Sequence, residues 1–446
     1  MSIAELLARR SSFTGGIHPP DNKVTKNKAI QPIVPTEKVI VPLSQHIGAP
    51  AEPIAEKGDE VKRGQKIGEA NGFVSSPVHA PTSGTVSKIA DFPHPSGTPA
   101  KGIQIDFDGE DQSVEFTASK SDGLSGEEII QKIQQAGIVG MGGAAFPTHV
   151  KLSPPEDKNV DTLIINGAEC EPYLTADYRL MMEEPEKIVK GVELIARGLG
   201  VDTVIYGIED NKTEAAERID QSTDSQVEVV QLPTKYPQGW EKTLIHALTG
   251  RQVPVGGLPL DIGVVVQNVG TAKAVWDALR YGRPLTERVV TVTGTVKNPG
   301  NYSIRIGTTW KDILDQLGGL KESKDGQVKL IDGGPMMGNT QSSWEVPVLK
   351  STSGMLVLDE AVAIHREPRA CIGCGKCIDA CPANLLPTSI YKSIEAGDIE
   401  KARELNATAC CECGSCTYVC PSEIPLTQWI VQAKNEITLE DREEED

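Results

Sequence analysis

Two short runs near the end of the chain constrain its fold and chemistry more than any other feature. Cys371, Cys374, Cys377 and Cys381 follow the spacing C-x2-C-x2-C-x3-C and end on Pro382. Cys410, Cys413, Cys416 and Cys420 repeat that spacing and end on Pro421. Eight of the 10 cysteines in this 446-residue chain therefore form one local device. Thiols three residues apart can curl around a single centre. The fourth, one step further on and followed by proline, is turned away from its own triplet.

This is the spacing of bacterial ferredoxins, in which thiolates hold [4Fe–4S] clusters and the fourth cysteine ligates the other cluster. Two clusters are expected, one on Cys371, Cys374, Cys377 and Cys420, the other on Cys410, Cys413, Cys416 and Cys381. A structural zinc is the competing reading, but its ligands usually come as two close pairs separated by a longer loop. Cysteine is also far too sparse for a disulfide scaffold. The leftover Cys170 and Cys411 read as small buried residues.

The formal net charge of −18 has the wrong sign for a nucleic-acid partner, whose phosphates attract Lys and Arg. The acidity reads as a solubility feature, and the end "LEDREEED" as a solvated, disordered tail. The start, "MSIAELLARRSSFTGG", turns polar too soon for a signal peptide, and no run of about 18 apolar residues offers a membrane span. A soluble protein of a reducing compartment is expected.

Upstream of the cysteines the chain divides into three further segments. Residues 1–115 hold an N-terminal arm and then strand-like runs ("KVIVPLS", "VHAPTSGTVSKI") broken by frequent turn signals. The pair "KGDEVKRGQ" and "APTSGTV" resembles the barrel-sandwich fold of lipoyl and biotinyl carriers. No lysine lies between Glu69 and His79, so this is expected to be an adaptor rather than a carrier. Residues 116–285 alternate helical patterns ("SGEEIIQKIQQAG", "NKTEAAERID", "GWEKTLIHALTG") with β-branched runs ("TLIINGAE", "TVIYGIED", "IGVVVQNVG"), which predicts a mostly parallel α/β sheet. Residues 286–350 resemble the small ubiquitin-like SLBB module, with a helix expected from Trp310 to Leu317. Residues 351–435 carry the clusters, with a helical stretch "SIYKSIEAGDIEKARELNA" between them. The tail is 436–446.

The second chemical signal is "GIVGMGGAAFPTHVKL". Gly140, Gly142 and Gly143 would let backbone amides come close to a phosphate or flat ring. It matches neither the dinucleotide fingerprint nor a Walker loop. By itself, tight packing is as good an explanation as a ligand.

This loop, followed by "LIINGAECEPYLTADYRLM" and "QNVGT", resembles the flavin-binding subunit of respiratory complex I. Together with "GGIHPPDNK", the barrel-sandwich segment, the SLBB-like module and the two ferredoxin motifs, nearly the whole chain resembles the C subunits of Rnf complexes. These membrane-bound assemblies exchange electrons between NADH and ferredoxin and couple this to ion transport. The resemblance implies FMN on Gly140, Gly142, Gly143 and Lys151, with Asn166 and Glu169 beneath the flavin and Asn268 as the cofactor-binding asparagine of a later "NNVET"-like element. It places Phe146, Glu171 and Glu241 where relatives contact the nicotinamide nucleotide, with NADH as substrate. Ferredoxin would be reached through partner subunits, at the cytoplasmic face of the membrane. The loop departs from complex I, which has arginine at Met141, glycine at Ala145 and Glu-Gly-Glu in place of Glu169-Cys170-Glu171. Each polar residue also has a plainer reading; Asn166 and Glu169, for instance, could cap a helix after a strand.

A nicotinamide gives two electrons at once and a cluster takes one, so a flavin belongs between them. The rival readings are a non-catalytic iron–sulfur relay and the cobalamin reductase of bacterial microcompartments, whose glycine loop lies close to the N-terminus.

Overall fold

The computed structural model describes residues 12–118, 123–223, 227–322, 327–359 and 367–445. After an extended arm come β1 (Ile30–Ile33), β2 (Lys38–Pro42), β3 (Glu52–Pro53), β4 (Glu60–Val61), β5 (Lys66–Glu69), β6 (Val78–His79), β7 (Gly84–Phe92) and β8 (Ala100–Phe107). Strands β2-β8-β7-β4 and β3-β5-β6 make two antiparallel sheets that enclose Val39, Val41, Ile67, Ile103 and Ile105. This is the barrel-sandwich hybrid. Its β5–β6 tip, where a carrier would present lysine, presents Phe73, whose carbonyl accepts from His149 at 3.0 Å.

The α/β unit runs through α1 (Gly126–Gln135), α2 (Thr148–Lys151), β9 (Thr162–Asn166), α3 (Ala176–Glu183), α4 (Pro185–Leu199), β10 (Thr203–Glu209), α5 (Thr213–Ser222), β11 (Val227–Leu232), α6 (Glu241–Thr249), β12 (Val264–Asn268) and α7 (Val269–Tyr281). A Ser125–Glu128 capping box starts α1, and Ile129 and Ile133 form its buried face. All four strands are parallel, in the order β11-β10-β9-β12. The chain leaves β9 toward one side and returns as β12 on the other. Such a switch point opens a crevice at the carboxyl ends of the strands. Asn166 and Asn268 are register partners at those ends.

The third unit contains β13 (Glu287–Gly294), β14 (Gly300–Arg305), α8 (Trp310–Gln316), β15 (Val328–Asp332), β16 (Asn339–Gln341) and β17 (Gly354–Asp359), around a fully buried Trp310. Its sheet, β1-β14-β13-β17-β15-β16, reaches beyond residues 286–350 on both sides. It takes β1 from the N-terminal region and β17 from the segment assigned to the clusters.

The cluster unit holds α9 (Lys376–Asp379), α10 (Pro387–Glu395), α11 (Ile399–Glu404), α12 (Ser415–Tyr418) and α13 (Leu426–Glu445). The stretch between the cysteine runs is helical as expected, divided into α10 and α11 where Gly397 takes φ +74° and turns the chain. One expectation is corrected here. The acidic end is helical through Glu445 and is anchored by Arg403, which pairs with Glu440 and Asp441.

Candidate functional site

The glycine loop sits on the switch-point crevice. Its neck is closed by the Gly140 amide donating to the Phe146 carbonyl at 2.8 Å, and the Met141 amide donates to Thr271 Oγ1 of α7 at 2.8 Å. Gly142 has φ +80°, and a Cβ there would lie 2.8 Å from Asn268 Nδ2. Gly143 faces open space, with nothing within 4 Å of a Cβ position. Ala145 holds φ +55°, a left-handed conformation costing roughly 1–2 kcal/mol for a residue with a Cβ. Exposed amides, open space and a position where any side chain would intrude suit a flat or phosphorylated ligand.

Lys151 and Glu241 form an ion pair of 2.9 Å, and Lys151 also donates to the Val266 carbonyl at 3.3 Å. The other expected flavin residues have local duties. Asn166 accepts from the Ala168 amide at 3.1 Å and donates to the Gly239 carbonyl at 2.9 Å. Asn268 caps α7 by accepting from the Gly270 amide at 2.7 Å, and donates to Asp177. Glu169 accepts from the Asp177 and Tyr178 amides at the start of α3. Burial pushes its pKa up from the ordinary carboxylate value. Phe146 is half-buried at the base of the loop.

Glu171 reaches toward the third unit. Its carboxylate accepts from the Met336 and Met337 amides at 3.1 and 2.8 Å, on the side of the third unit. Burial raises its pKa to about 7 despite these bonds. Tyr236 Oη reaches it at 3.4 Å and bonds the Cys413 carbonyl at 2.8 Å. Around this point Ile17, Cys170, Tyr236, Met336, Ala380, Cys411 and Cys413 form one apolar cluster. The α/β unit and the second cysteine run therefore pack directly together.

Two residues here escaped the sequence reading. Tyr236 lies between β11 and α6, outside every motif quoted above. Lys23, in the arm motif "GGIHPPDNK", is half-buried and donates to the carbonyls of Glu169, Glu171 and Leu174 at 3.0, 3.0 and 2.5 Å. A lysine next to prolines gave only a hint, and its partners lie some 150 residues away.

The cysteines line two cavities. One is bordered by Cys371, Cys374, Cys377 and Cys420, the other by Cys381, Cys410, Cys413 and Cys416, with Cys411 at its edge. In each cavity the fourth thiol comes from the other run. Cys371 and Cys374 are exposed, whereas Cys381, Cys413 and Cys416 are buried. Amides of Gly373, Leu385 and Glu412 approach Cys371, Cys381 and Cys410 sulfurs at 3.3–3.4 Å, as suits thiolates. The halves repeat: Cys377 Sγ faces Thr388 and Cys416 Sγ faces Thr427. Four thiols around a shared cavity fit an iron–sulfur cluster.

Four family models match this chain in order: the RnfC barrel sandwich hybrid domain at residues 11–110, the Nuo51 FMN-binding domain at 133–277, the SLBB domain at 289–340 and the 4Fe-4S dicluster domain at 363–422. The C subunit of a proton-translocating ferredoxin:NAD(+) oxidoreductase complex from Clostridium ljungdahlii is 51% identical, over 85% of this chain and 83% of its own. The C subunit of an Na(+)-translocating complex of the same kind from Acetobacterium woodii is 47% identical, over 97% of this chain and 99% of its own. The C subunit of an ion-translocating oxidoreductase complex from Rhodobacter capsulatus is 44% identical, over 98% and 86%. The chain belongs to the family of C subunits of ion-translocating ferredoxin:NAD(+) oxidoreductase (Rnf) complexes.

Proposed function

We propose that this chain passes electrons between NADH, an FMN on the glycine loop and two [4Fe–4S] clusters, as the C subunit of an ion-translocating ferredoxin:NAD(+) oxidoreductase complex. The observation that carries the reading is the direct seam between the flavin-type domain and the second cysteine run, made by Glu171, Tyr236 and the Cys413 carbonyl. A bound flavin supplies the exchange between two-electron and one-electron chemistry.

The chain's own residues have separable tasks in this reading. Gly140 closes the loop neck, Gly142 and Gly143 give amides and clearance, and Lys151, steered by Glu241, gives positive charge. Asn166, Glu169 and Asn268 fix the crevice floor by holding the ends of β9, α3 and α7. Phe146 and Glu241 stand on the nicotinamide side. Glu171 is assigned to that side with them, and its carboxylate also meets the third unit at the seam. Cys381, Cys410, Cys413 and Cys416 hold the cluster nearer the flavin domain. Cys371, Cys374, Cys377 and Cys420 hold the outer one, whose exposed thiols leave it open to a neighbouring protein of the complex.

Among the described residues no helix is long and apolar enough to cross a membrane. As a member of a membrane-associated complex the chain is peripheral, with ion transport left to partner subunits, and we assign it to the cytoplasmic side. Protease added outside intact cells should leave it whole; cleavage there would refute that side. The principal test is anaerobic reconstitution of the purified chain. It should yield roughly eight irons as two clusters and one releasable FMN. Zinc in place of iron, or no flavin, would sink the proposal.

A further inference from the structure

Arg288, the second residue of β13, is 2% exposed. Its Nε donates to the Thr352 carbonyl at 3.1 Å, and its Nη1 meets Met141 Sδ of the glycine loop at 2.8 Å. Its Nη2 has no hydrogen-bond partner among the described residues. Burial disfavours its charge; the carboxylates of Asp177, Glu169 and Asp332 act on it in the opposite sense, but among the described residues none forms an ion pair with it. A thioether is a weak acceptor. A buried guanidinium with one carbonyl as its only strong partner is costly, and such an unmet donor points to a missing partner.

The position says which kind. Nη1 lies 3.1 Å from the place a Gly270 Cβ would occupy, so the guanidinium rests on the first turn of α7 as well as under the loop. The amide of Met141 is tied to Thr271 of that same turn. A helix N-terminus and an under-paired arginine converge beside the loop, and both favour an anion. The Met141 side chain lies against the guanidinium, and methionine adapts readily.

We propose that Arg288, supplied by the neighbouring module, is a further ligand of the flavin nucleotide and meets one of its anionic oxygens once Met141 swings aside. The inference rests on the glycine loop being the FMN site. The oxygen belongs either to the phosphate or to the pyrimidine edge of the reduced ring.

The test measures FMN and riboflavin binding to the cluster-loaded full chain by flavin fluorescence, together with the flavin midpoint potential. Arg288→Met should weaken FMN binding about tenfold or more. Adding Met141→Arg, which returns a guanidinium from the loop side, should restore most of it. Unchanged riboflavin binding in Arg288→Met assigns the phosphate; weaker riboflavin binding with a more negative potential assigns the ring. Should the methionine variant not fold, Arg288→Gln removes the charge while keeping a donor for Thr352, and the same loss is expected. An unchanged FMN constant, or a loss that Met141→Arg leaves unrepaired, would overturn the arginine's role. A wild-type chain that binds no FMN would instead remove the site beneath it.

Discussion

Gly142 shows how one residue sets a site. Its φ of +80° and the 2.8 Å between its Cβ position and Asn268 leave no room for a side chain. Gly142→Leu should cost roughly 1–2 kcal/mol in backbone strain alone and should abolish flavin retention. Iron content should be unchanged, since the cysteine cavities share no residue with the loop. Full flavin occupancy in this variant would show that the site lies elsewhere. Glu171 offers a pH test. Its folded pKa of about 7 stands above the ordinary 4.5, so the folded state holds its proton more tightly. The stability it contributes is present below the ordinary value and is lost as pH rises through about 7. Comparing wild type with Glu171→Gln by chemical denaturation, the wild type should lose ground by up to about 1.4 kcal/mol per pH unit between pH 5.5 and 7, then level off. A constant difference across that range would mean that the carboxyl is not protonated in the folded chain.

At the scale of elements, the two cysteine runs behave as one. The cavities pair each triplet with the other run's fourth cysteine. Cys381→Ser should therefore disturb the signal of the cluster on Cys410, Cys413 and Cys416, matching Cys413→Ser rather than Cys374→Ser in paramagnetic resonance of the reduced protein. If Cys381→Ser and Cys374→Ser lose the same signal, each run builds its own cluster. Local features of this kind were legible in advance. The spacing of the cysteines, the capping box at Ser125 and the β-branched runs of β9, β10 and β12 are written within a few residues of the structures they make. Pairings across long separations were not. Nothing in "AIQPIV" says that β1 will lie parallel to β14, nor does "SGMLVLD" announce β17 as a partner of β13. The break at Gly397 depends on its positive φ, which a single glycine within a helical pattern does not announce.

At the scale of the molecule, the arm and the four units are tied together by contacts between residues far apart in the chain. Lys350, fully buried, donates to Pro77 of the barrel-sandwich unit and to Gly137 of the α/β unit at 2.8 and 2.7 Å, while lying in the third unit's segment. The arm bonds Ala380 through Gly16, bridges Tyr236 through Ile17 and clamps the 169–174 loop through Lys23. The crevice brings Gly142 beside Asn268 and Lys151 beside Glu241, residues that lie in the quoted motifs. Its wider assembly was not legible in the sequence, because Lys23, Tyr236 and Arg288 act across module boundaries that no local pattern encodes. The central claim is that electrons pass between the clusters and nicotinamide through the glycine-loop site. It is tested most directly by reducing the clusters of the reconstituted chain anaerobically with dithionite, removing the excess, and adding NAD(+). Wild type should reoxidise its clusters and form NADH at 340 nm, about one per two electrons withdrawn, while Gly142→Leu, with the same iron content, should do neither. Equal NADH formation by both proteins would contradict the account.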